Sequence, residues 1–207
     1  MQKKILTLVL ALFLVNSYQL KAQYAKQDTT YKKFFVGSSL FVLMNLIPDD
    51  NAPDFAQVNF GYRLSPKDAV SLELITWKYA YSIGIPFGKS YEAPEERFPG
   101  YIREYGFAVA YQRFWWKGLY TGIHVMPVLQ SFVNDEGNKI DNGFQIFNTY
   151  RVGYHIKLLK DRFFIQPSIA VTHRPYHTKM PEGFKQLDDK WSKFFFAEPG
   201  LHFGFNF

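Results

Sequence analysis

Charged and imidazole side chains that could carry chemistry recur on one side of segments that alternate between apolar and polar residues. A histidine near a glutamate can serve general acid–base catalysis or a proton-linked gate, because imidazole changes its charge near neutral pH. Arginine and glutamate inside a protein also pair for a simpler reason, since an unpaired buried charge is costly. The sequence therefore favours a salt-bridged interior, with a gate or a catalytic pair as alternatives. The residues assigned to this interior polar network are Arg63, Glu73, His124, Arg151, Glu198 and His202.

A hydrolase would need a histidine together with a serine nucleophile and a carboxylate that orients the imidazole ring. His173 is predicted to face outward near the end of its strand, but its neighbours are Thr172 and Arg174. Ser131 lies near the end of another predicted strand, and nothing in the sequence indicates that it is close to His173. No catalytic residue is therefore assigned, and the sequence argues against an enzyme.

The segment NDEGNKIDNG carries oxygen donors at Asp135, Glu136, Asn138 and Asp141 that Ca²⁺ could use. Their spacing does not follow the fixed order of an EF-hand loop, so a solvated acidic loop is favoured. The sequence has no zinc-ligand spacing, phosphate-binding glycine loop or dinucleotide fingerprint, so no metal and no cofactor are predicted. The basic residues are scattered and no nucleic-acid motif occurs, so nucleic acid is not an expected partner.

The segment HRPYHTK places His173, Arg174 and His177 close together at a predicted strand end. Histidine and arginine side chains at this spacing could contact the phosphate groups of lipopolysaccharide. A basic loop that simply lies at the level of lipid headgroups is an equally good interpretation.

Alternation with a period of two predicts strands, because successive side chains of a strand point to opposite faces. Short connections at 65–68, 116–118 and 158–162 alternate with longer ones at 47–55, 80–104, 133–142 and 175–193. This alternation of turn lengths is typical of an eight-stranded antiparallel up-and-down transmembrane β-barrel, with both termini at the short-turn, periplasmic side. The eight predicted strands are 33–44, 56–64, 69–79, 105–115, 119–132, 143–157, 163–174 and 194–207.

The polarity of the two strand faces separates this barrel from a soluble one. Large apolar residues form one face and small or polar residues the other, which suits a lipid-facing wall around a narrow, filled interior. Arg63 and Glu73 are predicted to be diagonal neighbours across the turn at 65–68. Because proline cannot donate to a strand ladder, bulges are predicted at Pro127, Pro167 and Pro199.

The last strand has apolar residues at alternate positions and ends on a phenylalanine. The positions concerned are Leu201, Phe203, Phe205 and Phe207. This C-terminus resembles the closing strand of small bacterial outer-membrane β-barrel proteins. The resemblance implies that these four residues form the signal read by the barrel-assembly machinery and that the protein lies in a bacterial outer membrane.

Residues 1–23 have the charged start and apolar run of a signal peptide that directs export through the Sec pathway and is then cleaved. Residues 24–32 are predicted to be a short periplasmic arm and residues 33–207 the barrel. The chain has no cysteine, so thiol and disulfide chemistry are excluded. A net charge of +6 suits contact with anionic lipid headgroups.

The favoured function is a structural or surface-binding envelope protein whose outer loops meet a partner. The expected partners are outer-membrane lipid or lipopolysaccharide, the barrel-assembly machinery, and an unidentified envelope protein or extracellular ligand. A narrow channel or transport accessory is the first alternative, and a lipid-modifying outer-membrane enzyme is the second. The sequence also allows the barrel to be one subunit of a larger envelope complex.

Overall fold

Alternating residue types and tight turns fold the chain into antiparallel strands. The structure is a computed structural model, which describes residues 31–48, 52–82 and 94–207. The predicted signal peptide and nearly all of the predicted arm lie outside the described residues. The strands are β1 Phe34–Ser39, β2 Ala56–Arg63, β3 Asp68–Tyr81, β4 Arg97–Trp116, β5 Leu119–Val133, β6 Lys139–Tyr154, β7 Ile156–Leu158, β8 Phe163–His177 and β9 Phe194–Asn206.

The nine strands form one sheet that closes on itself. Strands that are neighbours in sequence pair antiparallel, except β6 and β7, which both pair with β8, and β9 returns to pair with β1. The short strand β7 continues the line of β6 along β8, so the sheet is a ring of eight strands. The predicted all-β antiparallel class and the predicted neighbour order are therefore confirmed. No helix in the described part of the chain is both long and apolar enough to cross a membrane.

Two ends of the ring differ in their connections. Turns 64–67, 117–118 and 159–162 define what we call the short-turn end. Residues 40–55, 82–96, 134–138 and 178–193 connect the strands at the opposite end, which we call the loop end. Residues 178–193 include the helix α1, Glu182–Asp188. The predicted loop 133–142 is wrong in length, because β5 and β6 continue to a five-residue turn in which Asn134 Oδ1 accepts from the Asn138 amide at 2.8 Å.

The first strand is shorter than predicted. It ends at Ser39, whose hydroxyl accepts a hydrogen bond from the Phe41 amide at 3.2 Å and begins a 3-10 helix, Leu40–Leu46. Residues 40–44 are apolar at every position, so no alternation distinguished helix from strand there. Because β1 stops early, β9 has only one neighbouring strand over residues 194–201 within the described chain.

The predicted bulges at the three prolines are wrong. Pro167 and Pro199 both lie in a continuous register between β8 and β9, opposite Leu201 and Ile169. Pro127 lies opposite Ile146 in a register that is equally unbroken there. Pro199 falls in the part of β9 that has a single neighbour, where a missing donor is tolerated. The irregularity in register that lies nearest to Pro199 is at Ala197, whose backbone has a positive φ of 59°.

The two faces of the ring have opposite polarity. In β2 the side chains of Gln57, Asn59 and Arg63 are buried, whereas Val58, Phe60 and Tyr62 are 42%, 52% and 37% exposed. The same arrangement recurs around the ring, with exposed Leu72, Leu74, Phe107, Val109, Val125, Tyr150 and Val152. The ring therefore has a largely apolar outer surface, whereas its interior contains buried polar and charged side chains together with small and aromatic ones.

Exposed aromatic residues flank the short-turn end. Trp115 and Trp116 are both 58% exposed beside the turn at 117–118, and Phe205 is exposed nearby on β9. At the loop end Tyr81 is exposed, whereas Tyr79 is buried inside the ring.

Candidate functional site

A glutamate–histidine pair occupies the middle of the interior. Glu73 on β3 and His124 on β5 place a carboxylate oxygen 3.1 Å from His124 Nδ1. The Ser71 hydroxyl donates to the other oxygen of Glu73 at 3.3 Å. His124 Nε2 is buried and has no hydrogen-bond partner within the described structure. The strands thus bring together a pair that the sequence assigned only to the same network.

Arg151 forms a second interior pair with Glu198. Arg151 Nη2 donates to Glu198 Oε1 at 3.4 Å, and Nη1 donates to the Ser168 hydroxyl at 2.9 Å. The other oxygen of Glu198 accepts from the Thr172 hydroxyl. The guanidinium packs directly on Gly200, where a Cβ would lie 2.0 Å from Arg151 Nη1. A Cβ at residue 200 would therefore force the Arg151 guanidinium to shift from this position.

Arg63 lies near the short-turn end, and its predicted partner is wrong. Strand β2 pairs Arg63 with Ala69 and Asn59 with Glu73, so Arg63 and Glu73 are four positions apart along the strand. Arg63 Nη2 instead lies 3.4 Å from Asn206 Oδ1, and its guanidinium is 5.2 Å from the Phe114 ring centre. Amide and aromatic contacts therefore replace the expected ion pair.

The space between these groups is almost completely filled. Glu73, His124, Arg151 and His202 line a cavity in which the centre of a water molecule could occupy about 10 Å³. Such a cavity holds about one water molecule. Within the described residues, no group of three or more histidine and carboxylate side chains is arranged to hold a metal ion. Among the described residues, this cavity has room for a single water molecule and not for a larger ligand.

A buried cluster near the loop end was not predicted. Glu104 is 0% exposed, and its Oε1 accepts from Tyr79 at 2.8 Å, from Gln130 at 2.9 Å and from Gln145. The sequence predicts that Glu104 ends a loop, whereas in the structure β4 already begins at Arg97. Ile102 and Glu104 are buried whereas Tyr101 and Arg103 are half-buried, and because each set mixes apolar with charged residues, the sequence shows no apolar–polar alternation there.

The loop end of the ring is closed by an apolar plug. Helix α1 places Phe184 against Phe98 and Phe132, with ring centres 4.9 Å and 5.3 Å apart. Tyr79, Ile102 and Met180 complete this buried cluster. The residues after β8 therefore turn back into the mouth of the ring instead of lying over it.

A buried ion pair anchors the plug to the wall. Arg174 on β8 is 1% exposed and donates two hydrogen bonds to Asp188 of α1, which is 3% exposed. On the exposed side of α1, a hydrogen bond from Lys185 lowers the pKa of the Asp189 carboxyl. The inner pair is shielded from solvent and therefore fixes the position of α1.

The three residues predicted to contact lipopolysaccharide do not share a surface. Strand β8 runs to His177, so His173 and Arg174 point to opposite faces of the ring. Arg174 lies inside with Asp188, which corrects the prediction for this residue. His173 faces outward and stacks on Phe194 with ring centres 4.2 Å apart. His177 is half-buried, and its Nδ1 lies 2.9 Å from the Thr178 carbonyl.

The C-terminal residues of the predicted assembly signal lie along β9 on the apolar surface. Leu201, Phe205 and Phe207 are exposed, and Phe203 is half-buried beside Phe163. Comparison with protein-family models, with curated proteins and with solved structures found no match for this chain.

Proposed function

We propose that this chain is an eight-stranded outer-membrane β-barrel with a filled polar interior, acting as a structural or surface-binding envelope protein. The observation that carries the proposal is a closed ring of strands whose exposed outer face is apolar and whose interior contains buried polar and charged side chains. A closed ring satisfies the backbone hydrogen bonds within a bilayer, and an apolar outer face matches lipid. In water the same surface would expose an apolar area far beyond what a monomeric soluble protein shows.

The placement of the termini follows from this proposal. Both β1 and β9 reach the short-turn end, where the Phe34 amide donates to the Phe207 carbonyl at 3.1 Å. Short turns face the periplasm in barrels of this kind. We therefore place both termini in the periplasm, Leu201, Phe203, Phe205 and Phe207 where the assembly machinery reads them, and the loop end outside the cell.

A closed interior supports a binding or structural role over transport. The mid-height cavity holds about one water, and the apolar plug of α1 closes the loop end. The lipid-modifying alternative also lacks support, since His173 stacks on Phe194 and makes no hydrogen bond to a serine, threonine or carboxylate within the described chain. The surfaces left for recognition are the loop-end connections, which we propose meet an envelope or extracellular partner.

Single-channel recording tests the closed interior. We expect the refolded protein to give no discrete conductance in a planar bilayer, while an unboiled sample migrates differently from a boiled one on a gel. The absence of conductance is expected because Arg151, Glu198 and the α1 plug fill the lumen. Discrete conductance that changes in Arg151→Gln or Glu198→Gln would instead identify a gated pore.

A further inference from the structure

The exposed charged side chains at the short-turn end are all positive among the described residues. Three turns and the start of β1 present six exposed cations, which we call the basic rim: Lys33, Lys67, Lys117, Lys157, Lys160 and Arg162. The carboxylates at this end are Asp68 and Asp161, and both are partly buried. Asp68 accepts from Arg113 at 2.6 Å, and Asp161 accepts from Lys157 at 2.9 Å. Asp161 therefore offsets one of the six rim cations, Lys157, and Asp68 offsets Arg113, so the basic rim keeps a net positive charge.

The loop end has a different charge distribution. Its exposed lysines are mixed with exposed carboxylates at Asp54, Glu95, Asp135, Glu136, Asp141, Glu182 and Asp189. The positive field is therefore specific to one end of the ring and does not follow from the overall charge of the chain. A surface with a single sign of charge attracts an oppositely charged partner, whereas a mixed surface does not.

The basic rim adjoins exposed apolar and aromatic groups. Lys117 Nζ lies 4.8 Å from the Trp116 ring centre, and the Arg113 guanidinium lies 5.5 Å from the Trp115 ring centre. Leu159, between Lys157 and Lys160, is also exposed. Cations that flank exposed tryptophan and leucine match the boundary between lipid headgroups and acyl chains, where aromatic rings and basic residues both concentrate.

We propose that the basic rim binds anionic phospholipid headgroups in the inner leaflet of the outer membrane. The proposal rests on the transmembrane orientation given above, and it names the lipid class that the short-turn end selects. Headgroup phosphates and glycerol hydroxyls accept from the rim cations, while the acyl chains lie along Trp115, Trp116 and Leu159. The alternative is that the basic rim binds an acidic protein surface, and the experiment below distinguishes the two.

Native mass spectrometry of the refolded protein in detergent with equal phosphatidylglycerol and phosphatidylcholine tests the proposal. We expect preferential retention of phosphatidylglycerol. The variant Lys117→Gln/Lys160→Gln/Arg162→Gln should lose that preference by about tenfold or more, because each basic residue near an anionic surface contributes measurably to binding. The matched control Lys139→Gln/Lys179→Gln/Lys190→Gln removes three exposed loop-end cations and should keep the preference.

The outcomes separate this proposal from the proposed function. If all three proteins are heat-modifiable but none prefers phosphatidylglycerol, lipid binding at the basic rim is wrong, and an acidic protein surface becomes the better partner. Equal loss in both variants would also overturn the proposal, because it would reflect net charge alone. A protein that is not heat-modifiable and enters no micelle or bilayer would contradict the membrane assignment itself.

Discussion

Replacement of Val109 by arginine is expected to reduce the free energy of unfolding in a phospholipid bilayer by about 2–4 kcal/mol. Val109 lies on β4 and is 57% exposed, between the exposed Leu72 and Val125 of the neighbouring strands. Its side chain therefore lies within the apolar outer surface, with an apolar residue beside it on each neighbouring strand. If that surface lies against lipid, a guanidinium at this position must be brought out of water. Reversible urea unfolding of vesicle-inserted protein, followed by tryptophan fluorescence, measures the change.

The control for this experiment is Val109→Leu, which keeps an apolar side chain of similar size at the same position. It should change the unfolding free energy little. In a water-soluble protein, even the arginine variant would be almost neutral, because exposed substitutions usually change stability by less than about 0.5 kcal/mol. A cost for Val109→Arg within that range in the bilayer would contradict a lipid-facing outer surface.

Replacement of Arg174 by methionine is expected to destabilise the protein by about 3–5 kcal/mol, because it leaves Asp188 buried without its partner. The two side chains are joined by two hydrogen bonds inside the closed mouth. The loss is a large part of the total stability of an ordinary domain. Chemical unfolding of the detergent-folded protein measures it, and limited proteolysis of residues 178–193 reports whether α1 has left the mouth.

The double variant Arg174→Met/Asp188→Leu controls for the ion pair itself. Replacing both members with apolar residues removes the uncompensated charge, so it should cost much less than the single change. Together with the single variant Asp188→Leu, these variants form a double-mutant cycle that gives the coupling energy between the two residues. Equal effects of the single and double changes would show that the pair does not anchor α1.

The period-two pattern was sufficient to predict most of the strands and their two faces. In β2, Gln57, Asn59 and Arg63 alternate with Val58, Phe60 and Tyr62, and the structure places the two sets on opposite faces. This worked because the side-chain direction of a strand is a local property of the backbone. Where the pattern failed, as at residues 40–44, every position was apolar and the alternation carried no information.

Side-chain partners were predicted less well, because they depend on register and on contacts distant in sequence. The pairing of Arg63 with Ala69 separates Arg63 from Glu73, and no local pattern fixes that distance. The sequence predicts Arg174 at the surface, because nothing local indicates that residues 178–193 fold back into the ring. That segment contains Asp188, which pairs with Arg174. The burial of Glu104 is not predicted for a simpler reason, since the predicted strand begins at residue 105 whereas β4 begins at Arg97.

Spin-label accessibility along β2 in a bilayer tests the central claim most directly, and the absence of cysteine from the chain makes it feasible. Single cysteines at positions 56–63 would each carry a nitroxide in protein refolded into phospholipid vesicles. We predict that collisions with dissolved oxygen, which concentrates in lipid, are maximal at Val58, Phe60 and Tyr62 and minimal at Gln57, Asn59 and Gly61. If the nitroxides at positions 58, 60 and 62 instead collide mainly with a water-soluble nickel reagent, the outer surface faces water. That result would contradict the transmembrane barrel.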